Sequence, residues 1–139
     1  MSRVINPETA GKKRKQMVRG VVIALRELMG QGEQDGLTRD LAAFIALSLE
    51  AIAKTVEESV APWEKRGYWV KADRFRMDWD WAERLGGQLK QALLADDWAQ
   101  VAEVSAKVGE KVSGEHVPKR HRLGTPWVGA WEKLIIAQQ

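Results

Sequence analysis

From Val18 almost to the end, the chain repeats apolar residues every three or four positions. Alternation with a period of two, the mark of a half-buried strand, is nearly absent. Val18, Val21, Val22, Leu25, Leu28 and Met29 form the first stripe, and one helix face gathers them all. Asn6-Pro7-Glu8 precedes it as a helix start: an N-cap, a first-turn proline and an acid at the positive dipole end. Gly30 and Gly32 end this helix, and Gly36 falls in the loop that follows. A second helix is expected from Thr38, with Asp40 in its first turn. Its stripe is Leu41, Phe44, Ile45, Ser48, Ile52 and Val56, reaching toward Trp63. Pro62 should end or kink it, because proline lacks an amide and disfavours a helical residue before it.

Gly67 is the next break, and a third helix runs from about Tyr68 to Ala95. Asp96 or Asp97 can cap a fourth over Trp98 to Val112, with Val101, Ser105, Val108 and Val112 inward. Residues 113–125 read as a basic loop. Thr125-Pro126 then opens a short docking helix over 126–139, with Trp127, Trp131, Leu134 and Ile135 on one side. Together these elements predict a single all-α domain over 1–139, an antiparallel four-helix bundle with a short C-terminal amphipathic helix. Leu25, Phe44, Ile45, Ile52, Trp79, Leu89 and Val101 are its expected core.

The segment YWVKADRFRMDWDW, 68–81, interleaves aromatics with charges. At 100° per residue, Tyr68, Ala72, Phe75, Trp79, Ala82, Gly86, Leu89 and Leu93 share a face and predict a core seam. Val70, Met77 and Trp81 fall on the opposite side. A second apolar stripe predicts a second covering by the terminal helix, the Pro62 loop, or a subunit or partner, and tryptophan and methionine are enriched at interfaces. The flanking charges form i,i+3 and i,i+4 pairs: Asp73–Arg76, Arg74–Asp78, Arg76–Asp80 and Asp80–Arg84. They spread around both flanks, which favours solvated ion pairs over a metal or acid–base cluster. Gly86-Gly87 inside this helix points to close helix approach or a weak point, not to a phosphate loop.

The absence of cysteine removes disulfides, thiolate metal sites and cysteine nucleophiles, and fits a cytoplasmic protein. Val21 to Leu25 is too short for a signal-peptide core. Leu41 to Ala53 is interrupted by Ser48 and Glu50 and falls short of a ~20-residue span. A soluble chain with no membrane contact is the expectation. His116 and His121 lie in the tail loop, outside any Glu-x-x-His pattern, and no nucleophile has a histidine on a neighbouring stripe. Neither a catalytic set, nor a metal site, nor a cofactor motif is legible.

Charge adds one candidate. The formal net charge of +3 is uneven: residues 1–30 hold seven Lys/Arg against two acids, while 31–112 hold eleven against fifteen. Lys12, Lys15, Arg19 and Arg26 follow one helical direction over roughly 21 Å. Lys119, Arg120 and Arg122 form a second basic cluster. Such stripes neutralise phosphates and are also ordinary solvated faces. The leading functional expectation is therefore a non-catalytic interaction or adaptor protein that forms a homodimer or binds a protein partner through Val70, Met77 and Trp81. One alternative is a nucleic-acid-associated protein using the basic positions. The other is a bundle holding a small organic ligand in a pocket bounded by Trp63, Trp69 and Trp127.

Overall fold

The computed structural model describes residues 7–139. Among these residues there are five helices and no strand: α1 Pro7–Met29, α2 Gly36–Lys65, α3 Trp69–Leu94, α4 Trp98–Lys111 and α5 Ala130–Ile136. The all-α class is as the apolar spacing predicts, and the boundaries differ for local reasons. Asn6, the expected cap of α1, lies outside the described residues. The cap of α2 is Asp35, whose carboxylate accepts from the Thr38 amide at 3.0 Å, so the helix starts two residues earlier than expected. That bond holds the Asp35 carboxyl below the usual aspartate range.

Pro62 neither ends nor blocks α2, which runs through it to Lys65. The last turn is held from outside, by Trp63 packed edge-on to Phe75 at 5.4 Å and by Glu64 bound to Arg76 at 2.7 Å. It closes with Gly67 at a φ of 79°. The Tyr68 amide donates to the Trp63 carbonyl at 2.8 Å and the Gly67 amide to that of Glu64 at 3.0 Å, a Schellman end. The α3–α4 corner repeats it with an aspartate. Asp96 takes a φ of 54°, and the Asp96 and Asp97 amides donate to Leu93 and Ala92. Aspartate tolerates this left-handed conformation better than most side chains. Asp97 then caps α4 by accepting from the Gln100 amide at 3.1 Å.

Long-range pairs show the antiparallel sense of α2 and α3. Arg76 meets Glu57 and Glu64, Lys90 meets Glu50 at 2.7 Å, and Arg39 meets Asp96 at 3.5 Å, so positions fall on one helix as they rise on the other. Of the ion pairs expected within α3, Asp73–Arg76 forms at 3.7 Å. Arg76 turns across to α2 instead of to Asp80, because two carboxylates there can share its planar fork. This raises the Arg76 pKa, chiefly through Glu64 and then Glu57, and lowers that of Glu64, chiefly through its hydrogen bond with Arg76.

Helix α2 is the hub, packing against α1, α3 and α5. Its small residues Ala42, Ala43 and Ala46 are fully buried and let neighbours approach closely. A Cβ on Gly86 of α3 would stand 3.0 Å from the Leu49 Cβ, and one on Gly20 of α1 would stand 3.2 Å from the Phe44 ring. Leu25, Ile45, Ile52, Leu89 and Val101 are buried as expected, whereas Phe44 and Trp79 are half-buried at the edge of the core. Helix α4 has only fourteen residues; it folds back on α3 and touches α1 only marginally. The bundle is therefore open along its α1–α4 seam.

The tail is fastened at named points. Arg26 donates to the Val117 carbonyl at 2.6 Å, and Val117 and Trp127 are buried. The docking helix is shorter than 126–139, because Gly129 takes a left-handed φ of 81° and regular helix begins after it. The Asp40 carboxylate accepts from the Gly129 and Trp131 amides at 3.2 and 2.9 Å, joining this start to α2. Among the described residues, no helix is long and apolar enough to cross a membrane.

Candidate functional site

The Schellman end of α2 sets Tyr68 at the start of α3 and brings Trp63 beneath it. From there rings run inward: Trp63 edge-on to Phe75 at 5.4 Å, Phe75 to Trp79 at 6.4 Å, and Trp79 stacked on Trp81 at 5.8 Å. Two cations brace the series. The Arg14 guanidinium lies 4.8 Å from the Phe75 ring and 5.4 Å from that of Trp79, while the Lys71 ammonium stands 4.3 Å from Trp63. Arg14 Nη1 also donates to the Thr55 carbonyl and hydroxyl and to the Ser59 hydroxyl, all within 3.2 Å. Burial lowers the Arg14 pKa. Arg14 thus ties α1 to α2 and α3 and is not a free surface charge.

Outside this braced layer the end of α3 is bare. Tyr68, Trp69, Val70 and Met77 are 52%, 58%, 70% and 73% exposed. A shallow depression links Trp63, Tyr68, Trp69, Val70 and Phe75, with Lys71, Arg74 and Asp78 at its margin. Tyr68, Trp69 and Val70 meet in this depression, whereas Met77 is exposed further along α3, outside its lining and beyond the exposed Asp73 and Arg74. Exposed apolar side chains gathered in one place mark contact surfaces. No ion pair within the chain engages Arg74 or Asp78 among the described residues.

Of the expected interface trio, Val70 and Met77 lie on this surface and Trp81 does not. Trp81 is 7% exposed within the single chain and belongs to the core, so no partner is needed to cover it. Leu85 and Ala92, buried one and three turns further on, widen the inward face of α3 until it includes Trp81. Tyr68 moves the other way, from expected core to surface, because it sits ahead of the helix where the 100° projection does not apply. Its position follows from the positive φ at Gly67, the local signal the helical wheel ignores.

The three tryptophans of the expected pocket do not converge. Trp63 and Trp69 share the depression, but Trp127 is buried in the core and takes no part in it. Along the basic stripe Lys12, Lys15 and Arg26 are exposed and Arg19 is half-buried, and Arg26 also donates to the Val117 carbonyl. Lys119, Arg120 and Arg122 are exposed just beyond Val117. His121 Nδ1 accepts from the Leu123 amide at 3.2 Å. Among the described residues no three His, Cys, Asp or Glu side chains gather as a metal site. No family model, curated protein or solved structure matches the chain.

Proposed function

We propose that this is a non-catalytic helical protein that self-associates, with the exposed aromatic end of α3 as its contact surface. The observation that carries the reading is the exposure of Tyr68, Trp69 and Val70 around one depression, with Met77 exposed further along α3, beside a cation-braced aromatic layer. Rigid aromatic anchors lose little side-chain freedom when covered. Charge favours a second copy as the covering partner. Arg74 and Asp78 sit one turn apart on one flank, without an ion-pair partner among the described residues. An antiparallel pairing of two α3 helices about a two-fold axis that sets each Arg74 against the other chain's Asp78 would bring Met77 to the axis and lay Tyr68 and Trp69 over the Glu83–Arg84 turn of the other copy. Four side chains cover on the order of half the ~800 Å² per partner of a standard interface, so the dimer is expected to be reversible. The lack of cysteine supports a reducing, cytoplasmic setting.

Nucleic-acid binding is the second reading, supported by the exposed Lys12, Lys15, Lys119, Arg120 and Arg122. It is weakened by the half-burial of Arg19, while Arg26 is exposed with one donor on the Val117 carbonyl. Titration of labelled DNA and RNA is expected to give only salt-sensitive, non-specific affinity of roughly 10⁻⁴–10⁻⁶ M. Tight binding lost in Lys12→Glu/Lys15→Glu would reverse the order. The test of the leading reading is sedimentation over a concentration series, with Met77→Asp as the variant: the wild type should associate and the variant should not.

A further inference from the structure

The open seam between α1 and α4 has a composition of its own. On α4, Ala102, Ser105, Ala106 and Gly109 recur at three- and four-residue spacing, which sets them on one face. Opposite them stand Leu25 and Leu28 of α1, and Trp98 closes one end. Small side chains facing large ones across a seam that is barely in contact leave a groove of about 660 Å³. That size lies within the ~300–1,000 Å³ of small-molecule sites. Its exposed area is mainly apolar, although Gln34, Thr38, Ser105 and Ser113 also line it, and Glu110 is its charged side chain.

One atom in the lining is out of place for a merely apolar seam. Ser105 is 8% exposed, and its hydroxyl is shut off from water with no hydrogen-bond partner among the described residues. An unpartnered buried hydroxyl is unfavourable, and native interiors rarely keep one without a reason. A serine hydroxyl has three staggered positions, so rotation about χ1 can direct it to a polar atom placed in the groove.

We infer that the α1–α4 groove binds an uncharged, mainly apolar organic molecule of about two fused rings, bearing a hydroxyl or similar group that bonds with Ser105. The chemistry of the walls selects the class. Leu25, Leu28 and Trp98 offer dispersion contacts, the alanines and Gly109 leave room for a flat ring system, and Glu110 opposes an anion. Nothing in the groove supplies a cation for a carboxylate or phosphate. The site is separate from the aromatic end of α3 and shares no residue with it.

The experiment uses the full chain and the neutral probe N-phenyl-1-naphthylamine, whose emission rises on entering an apolar site. Single-site binding is expected, with affinity reduced about tenfold or more in Ala106→Phe, which fills the groove from an exposed position, and helicity unchanged. Trp69→Asp should leave probe binding intact. Displacement by 2-naphthol and by 2-methylnaphthalene reads Ser105, since the pair differs mainly in hydroxyl against methyl. Ser105→Ala should shift the ratio of their affinities by about three- to tenfold toward the methyl compound, as expected for one neutral hydrogen bond. Probe binding lost in Trp69→Asp but kept in Ala106→Phe would overturn the proposal, placing the probe on the surface aromatics. An oligomeric state altered by Ala106→Phe would also overturn it, making the seam a contact between copies. An unchanged displacement ratio in Ser105→Ala would remove the hydroxyl from recognition and with it the proposed ligand class.

Discussion

Gly86 and Gly87 are neighbours with opposite roles. A Cβ at Gly86 would press the Leu49 Cβ at 3.0 Å and the Ala46 carbonyl at 3.4 Å, so α2 and α3 would have to part; at Gly87 nothing lies within 4 Å. Thermal or denaturant unfolding should show Gly86→Ala destabilised by about 1–3 kcal/mol. Gly87→Ala should be stabilised by about 0.5–1 kcal/mol, through the lower flexibility of the unfolded chain. Equal effects at both positions would contradict the close approach. Glu64 supplies a pH test. Its pKa lies below the ordinary glutamate value of about 4.3 because Arg76 favours the charged form. Its favourable contribution is thus complete above that value and is lost as pH falls through the lowered one. Stability should decline on the acid side of about pH 4, and Glu64→Gln should flatten that decline. At this scale the spacing of residues was informative about Gly86, as a site of close approach, and misleading about Trp81 and Tyr68. Projection treats α3 as an isolated cylinder, whereas its buried width depends on α4 as well as α2.

Helices were legible because burial on one face imposes a period near 3.6 that survives any partner. Their ends were less so, since capping depends on which of several adjacent polar residues reaches an amide. Asp35 takes the place expected of Thr38, and the Asp96-Asp97 pair divides its work, one turning the chain out of α3 and the other opening α4. Pro62 does not end α2, which continues for one more turn where Trp63 and Glu64 are engaged by Phe75 and Arg76 of α3. Asp40 was read as a first-turn acid of its own helix, yet its carboxylate joins α2 to the amides of Gly129 and Trp131. Replacing Asp40 with alanine should speed amide hydrogen exchange in α5 while leaving α1–α4 protected. The loss should be about 1 kcal/mol, as for a helix cap. Unchanged exchange in 129–136 would show that burial of Trp127 and Leu134 alone holds the tail.

Among the surfaces that the described residues leave uncovered, the aromatic end of α3 and the α1–α4 seam stand out. The exposure of Val70 and Met77 could be read from α3 alone, whereas the seam exists only where two elements fail to meet, and Tyr68 joins the surface where a turn redirects the chain. The two-fold pairing argued for α3 makes a charge-reversal prediction. Arg74→Asp and Asp78→Arg should each weaken association, and the double exchange should recover it, more clearly at low salt than at high. Failure of the double exchange to recover association would rule out that geometry while leaving the aromatic contact open. The most direct measurement is sedimentation velocity on the wild type and on the Trp69→Asp/Met77→Asp variant, each over a wide range of concentration and with helicity checked by circular dichroism. The wild type should move from a 15.6 kDa monomer toward a dimer as concentration rises, and the variant should stay monomeric with the same helicity. A wild type that remains monomeric to the limit of its solubility, or a variant that associates equally well, would contradict the account.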